Sequence, residues 1–174
     1  MRNNLIHFII TGGTLDYSWD NQQDIMVMNE DSSVPVYFQK FNILDEAIFT
    51  QVCLKDSREL TAKDLEHVLE AIEKSEASKI IITHGAWTAA ETVAYLKKKL
   101  KRKDQTIVVT SGSVPLIGLS MSDAPFNLGF ALAKVQDLPP DIYIAIKGKA
   151  FTMAEFDTFT REGKLYELYG SGGK

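Results

Sequence analysis

The 174-residue chain predicts an α/β fold: a doubly wound, Rossmann-like, mostly parallel sheet in a single domain. Three observations predict it. Short apolar runs recur at Leu5–Ile10, Ile48–Leu54, Lys79–Thr83, Thr106–Thr110 and Ile142–Ile146. Runs of this length and composition read as strands buried on both faces. Helical periodicity fills the segments between most of them, and polar turns with Gly, Ser and Thr close several strands. Alternation of strand and helix favours parallel pairing, right-handed crossovers and helices on both sides of the sheet. Hydrophobic residues at 45% and charged residues at 24% allow one domain over residues 1–174 with a substantial core.

The first strand, Leu5–Ile10, runs into Thr11-Gly12-Gly13-Thr14. Polar residues then dominate from Asp16 to Ser33, a long connection of the kind that covers sites as a lid. Val34–Phe41 alternates but contains Pro35, which predicts an edge strand or extended segment. Ile48–Leu54 predicts a second core strand. Thr61, three residues before Asp64, predicts a helix start, and Leu65, Val68, Leu69 and Ile72 share one face of that helix.

Lys79–Thr83 is the next strand, and His84-Gly85 ends it. Thr88 with Glu91 has capping-box spacing for a helix whose apolar face continues through Val93, Leu96 and Leu100. Thr106–Thr110 leads into a Ser-, Gly- and Pro-containing loop over 111–122, and then into a helix from about Ala124 to Val135. Pro139-Pro140 precede the strand Ile142–Ile146. From Lys147 onward no strong pattern is visible, and residues 165–174, with Gly170-Ser171-Gly172-Gly173, read as a flexible tail.

The net charge of −4 disfavours a nucleic-acid partner, which requires a basic footprint. The basic run Lys97–Lys103 falls at a helix end, where cations complement the dipole. Cys53 is the only cysteine, so an intrachain disulfide is excluded, and a structural thiol in a cytoplasmic protein is the expectation. No signal-peptide pattern and no apolar run near 20 residues argue against export or a membrane span. His7, His67 and His84 lack neighbouring ligand residues, so no metal is expected. Gly12-Gly13 is not a dinucleotide fingerprint, and no cofactor is expected.

Thr11–Thr14, Asp56–Ser57, Thr83–Thr88 and Ser111–Ser113 all fall at carboxyl ends of predicted parallel strands. Ligands of open α/β sheets bind there. The first turn reads in two ways: as a tight turn in which Gly supplies positive φ, or as a pocket wall in which Gly12 and Gly13 admit a ligand and Thr14 presents its hydroxyl. Convergence of four hydroxyl-bearing loops on one sheet edge suits a small ligand with a carboxylate or phosphate.

Four segments occur in the order found in bacterial-type L-asparaginases: Thr11-Gly12-Gly13-Thr14, Asp56-Ser57, Ile82-Thr83-His84-Gly85 with Glu91-Thr92, and Ser120 to Leu128. The chain resembles the N-terminal domain of those two-domain enzymes over about residues 5–146. The resemblance implies an amidohydrolase of an L-asparagine-like amide, with Thr14 as nucleophile and Ser57 on the substrate carboxylate. Tyr17 stands nearest to the family's tyrosine partner of the nucleophile. Gly13, Asp56, Gly85, Ala86, Trp87 and Thr88 complete the implied substrate site.

The family loop reads H-G-T-D-T where this chain has His84-Gly85-Ala86-Trp87-Thr88. The assisting Thr is Ala86, and the Asp that holds the substrate ammonium is Trp87. Thr158 aligns with the family's relay lysine. A Thr hydroxyl attacks poorly without a proton acceptor, so the relay is incomplete. The alternative is a catalytically impaired binding module that keeps the same pocket. Trp87 then either stacks on a ligand or fills volume at a missing domain or subunit partner. The family's enzymes are oligomers with sites between subunits, which implies a homo-oligomer here.

Overall fold

The computed structural model describes residues 5–44 and 46–161. The tail expected at 165–174 lies outside the described residues. The first strand, β1 (Ile6–Gly12), is buried along its whole length. Its alternate side chains feed two cores. Ile9 joins the cluster on one face of the sheet, whereas Ile6, Phe8 and Ile10 join the cluster on the other.

After β1 the polar stretch forms an antiparallel hairpin, β2 (Tyr17–Asp20) and β3 (Ile25–Met28). Asp20 closes its turn by accepting from the amides of Gln22 and Gln23. A hairpin thus stands where the polar composition suggested an irregular connection, because the local Asx turn and alternation over Tyr17–Trp19 suffice to pair it.

The segment Val34–Phe41 corrects the expectation of a strand. It is helix α1 (Ser33–Lys40). Pro35 falls in its first turn, where the missing N–H has no helical partner to lose. The start is secured from outside the helix. Ser32 Oγ accepts from Val34 N at 3.1 Å, and the buried Asp16 carboxylate accepts from Ser32 Oγ at 2.9 Å and Ser33 N at 2.8 Å.

β4 (Ala47–Lys55) follows, then α2 (Ala62–Lys74) with the full capping box between Thr61 and Asp64. β5 (Lys79–Thr83), α3 (Ala89–Lys99), β6 (Thr106–Thr110), α4 (Ala124–Asp137) and β7 (Asp141–Ile146) complete the alternation. The stretch beyond Lys147, patternless in sequence, adds β8 (Lys149–Thr152) and α5 (Met153–Arg161). Lys147 and Gly148, both at positive φ, turn the chain back so that β8 pairs antiparallel with β7.

The main sheet has the order β4-β1-β5-β6-β7-β8. All its pairs are parallel except β7–β8. α2, α3 and α5 contribute Val68, Ile72, Val93, Leu96 and Phe156 to one core, and α1 and α4 contribute Val34, Phe38, Leu128 and Ala131 to the other. The fold is therefore the doubly wound α/β arrangement. The run Ile48–Leu54, apolar enough for a core strand, stands at the sheet edge with partly exposed side chains. The basic run at the end of α3 is engaged locally: Lys97 pairs with Asp141, Arg102 with Asp104, and Lys103 donates to the Leu100 carbonyl.

Candidate functional site

The order of strands decides where a ligand can sit. The chain leaves β1 by way of α1 on one face to reach β4. It leaves β5, the neighbour on the other side of β1, by way of α3 on the opposite face to reach β6. Loops that depart to opposite faces part from each other, which opens a crevice at the carboxyl ends of β1 and β5.

Glycines let the walls of this crevice close to main-chain contact. Gly13, at φ 80°, lies so near the next loop that a Cβ there would stand 2.5 Å from Gly85 N. A Cβ on Gly85 would stand 2.6 Å from Ser57 Oγ. Gly13 N also donates to Lys55 O at 2.9 Å. Gly13 is therefore stacked backbone on backbone against Gly85, and Gly85 in turn against the Ser57 side chain, approaches that a side chain on either glycine would block.

Above this floor is a cavity of about 230 Å³. Gly13 and Thr14 form one wall, and Asp56, Ser57 and Arg58 a second. Gly85, Ala86 and Trp87 form a third, and Gly112 and Ser113 close the ring. Seven of the nine sequence-predicted residues thus line one cavity: Gly13, Thr14, Asp56, Ser57, Gly85, Ala86 and Trp87.

Ser57 is 3% exposed, and its Oγ finds no hydrogen-bond partner within the protein. Buried hydroxyls are seldom left so. Beside it the Asp56 carboxylate receives Arg58 Nε at 2.9 Å, Arg58 Nη2 at 2.7 Å and the Arg58 amide at 2.9 Å. The bonds from the Arg58 guanidinium hold the Asp56 carboxyl down at about 2. Trp87 presents an indole that is 63% exposed, and Ala86 beside it offers only a methyl group.

The fourth wall hangs from α4. Asp123 accepts from Ser113 N at 2.8 Å and from Val114 N at 3.0 Å. The buried Asn127 donates to Ser111 O at 2.8 Å and accepts from Lys147 N at 2.8 Å. One helix thereby fixes the loops that leave β6 and β7.

Tyr17 and Thr88 do not line the cavity. Tyr17 opens β2 near the second wall; burial and the charges of Asp56 and Glu59 push its phenol up, against the opposing pull of Arg58. Thr88 precedes α3 without capping it by its side chain. Its hydroxyl donates to Ser57 O at 2.8 Å instead and so ties the second wall to the third. Thr158, in α5, donates to Ala154 O and is exposed.

His84 is fully buried. Its Nδ1 donates to Gly85 O at 2.6 Å, which leaves Nε2 to accept from Thr92 Oγ1 at 2.8 Å. Burial lowers its basicity, so the ring is a neutral strut behind the third wall. Among the described residues no three His, Cys, Asp or Glu side chains gather as they would around an ion. No described helix is long and apolar enough to cross a membrane.

Gly112 and Ser113 come from the fourth loop that the sequence places at this sheet edge, whereas Arg58 belongs to the cavity although it was not among the predicted site residues. The Asp56-x-Arg58 spacing, which allows the bidentate pair, was the signal available for Arg58.

The family described as "Asparaginase, N-terminal" matches residues 5–159. The fold superposes on a probable cytoplasmic L-asparaginase from Campylobacter jejuni with a TM-score of 0.72 and 22% identity, over 87% of this chain and 48% of that one. It superposes on the thermostable L-asparaginase from Thermococcus kodakarensis with a TM-score of 0.73 and 24% identity, over 86% of this chain and 46% of that one. The chain therefore spans about half the length of these structures. No curated protein matches the chain.

Proposed function

The chain belongs to the asparaginase N-terminal-domain family, and from that premise we propose that it hydrolyses a small carboxamide that also bears a carboxylate, with Thr14 as the nucleophile. The observation that carries this reading is the meeting of Thr14 and Ser57 in one cavity at the topological switch point. Thr14 Oγ attacks the amide carbon. The C–N bond breaks, ammonia leaves with the hydroxyl proton, and water then hydrolyses the ester and restores Thr14. Ser57 Oγ, buried and unpartnered, donates to the ligand carboxylate and holds the amide over Thr14. Thr88 fixes Ser57 through its main chain.

The relay is spare, and turnover is correspondingly slow. Ala86 carries no proton, and Thr158 lies outside the cavity. General-base assistance is worth about 10²–10⁴-fold in such reactions. Ammonia release from short carboxamides at high protein concentration tests the proposal. Thr14→Ala is expected to lower it at least about 100-fold without a change in Tm. Release unchanged in Thr14→Ala overturns the mechanism.

Ala86 and Trp87 also favour a second reading, in which the cavity binds its ligand without turnover. Ligand-induced quenching of Trp87 fluorescence with no ammonia release is its signature, and Trp19→Phe removes the competing signal from the hairpin. In either reading the partners are a small molecule and further copies of the same chain, in a cytoplasmic setting, without nucleic acid, membrane or metal.

A further inference from the structure

We infer that the cavity selects carboxamides and carboxylates that lack a free ammonium group, so that a succinamate-like ligand is preferred to an α-amino acid of the same length. The inference rests on the assignment of this cavity as the ligand site and concerns which chemical class enters it.

Charge carries the argument. Among the described residues that line the cavity, two are charged, Asp56 and Arg58. They neutralise each other through two side-chain bonds of 2.7 and 2.9 Å, and the Arg58 amide adds a third bond to the same carboxylate. The carboxyl of Asp56 is thus already committed to a cation. The next carboxylate along the chain from Thr14, that of Asp16, is fully buried; its Oδ1 accepts from Ser32 and Ser33 at the start of α1, and its Oδ2 is shut off from solvent. An incoming ammonium meets no uncommitted carboxylate among the described lining residues.

The remaining lining groups favour other chemistry. Ser57 Oγ is a buried hydroxyl in need of a partner, and a carboxylate satisfies it with a charge-assisted bond. Trp87 sets a broad apolar surface at the third wall, and Ala86 adds a methyl group. A methylene chain packs on such a wall, whereas an ammonium held there without hydrogen-bond acceptors is penalised. The cavity, of about 230 Å³, accommodates a four-carbon ligand.

Succinamate and L-asparagine are the matched probes, since they differ only by replacement of hydrogen with ammonium. Binding is read by calorimetry on the full chain carrying Thr14→Ala, which stops turnover, and hydrolysis is read as ammonia release by the wild type. Succinamate is expected to bind about 10- to 100-fold tighter than L-asparagine, the scale set by one uncompensated buried polar group. Trp87→Asp, at a position that is 63% exposed, places an anion on the third wall. It is expected to narrow that ratio at least about 10-fold, while Trp87→Phe keeps it.

L-Asparagine binding as well as or better than succinamate overturns the inference, and ammonia release from L-asparagine would then still support the proposed hydrolase. Binding of neither probe removes the assignment of the cavity, and the selectivity falls with it. A ratio unmoved by Trp87→Asp also overturns the inference, because the preference would not arise from the charge of the wall.

Discussion

Burial raises the Cys53 thiol to about 11, and its Sγ donates to Thr11 O at 3.6 Å. Reaction requires the thiolate, so Cys53 is expected to alkylate with iodoacetamide at pH 8 at least about 10-fold more slowly in the native chain than in urea. Equal rates would show that the thiol is not shielded by the fold. The residue scale is also where sequence reading reached furthest and then stopped. The places of Thr14, Ser57 and Gly85 at one cavity were legible because each follows the end of a predicted parallel strand. Arg58 was not. A surface arginine two places after an aspartate is common, and only the fold of the 3-10 turn over Ser57–Glu59 brings its guanidinium onto Asp56 at the cavity.

The capping box of α2 is the element whose energetics are most exposed to test. Thr61 Oγ1 accepts from Asp64 N at 3.3 Å, and Asp64 accepts from Thr61 N at 2.8 Å and from Lys55 Nζ at 2.7 Å. Burial pushes the Asp64 carboxyl up, but the bonds from Lys55 and Thr61 outweigh it and hold the group at about 2. A folded-state value below the unfolded one contributes stability above the ordinary aspartate range, and that contribution is lost as pH falls toward the folded value. Thr61→Ala is expected to cost about 1 kcal/mol at pH 7, measured by urea unfolding. The deficit is expected to shrink below pH 4, and a deficit constant with pH would exclude Asp64 from the cap. Element type was legible in this helix because cap and apolar stripe agree. It was not legible in α1, where alternation over Val34–Phe41 argued for a strand that Pro35 only moved to an edge. The buried carboxylate that starts α1 comes from Asp16, on the far side of a hairpin, and no local pattern announces it.

At the scale of the molecule, alternation revealed the parallel sheet but not the order of its strands. Order depends on which face each crossover takes. That is why Ile48–Leu54, as apolar as its neighbours, became an edge while β1 took an inner position. The loop over 111–122 and the start of α4 expose Ile117, Leu119, Met121 and Phe126. Exposed apolar side chains clustered along one segment favour association, in keeping with the proposed homo-oligomer. Light scattering after gel filtration is expected to give more than one chain per particle, with a shift to the monomer for Met121→Ser together with Phe126→Ser. A wild-type monomer at high concentration would refute it.

The stacking of Gly13 on Gly85 and of Gly85 on Ser57 separates two kinds of inheritance. The cavity floor is built from main chain and from residues that tolerate no added atom. Ala86 and Trp87 line the cavity above that floor. Under the proposed function, side chains at 86 and 87 can change what the site recognises while the glycine floor keeps its architecture.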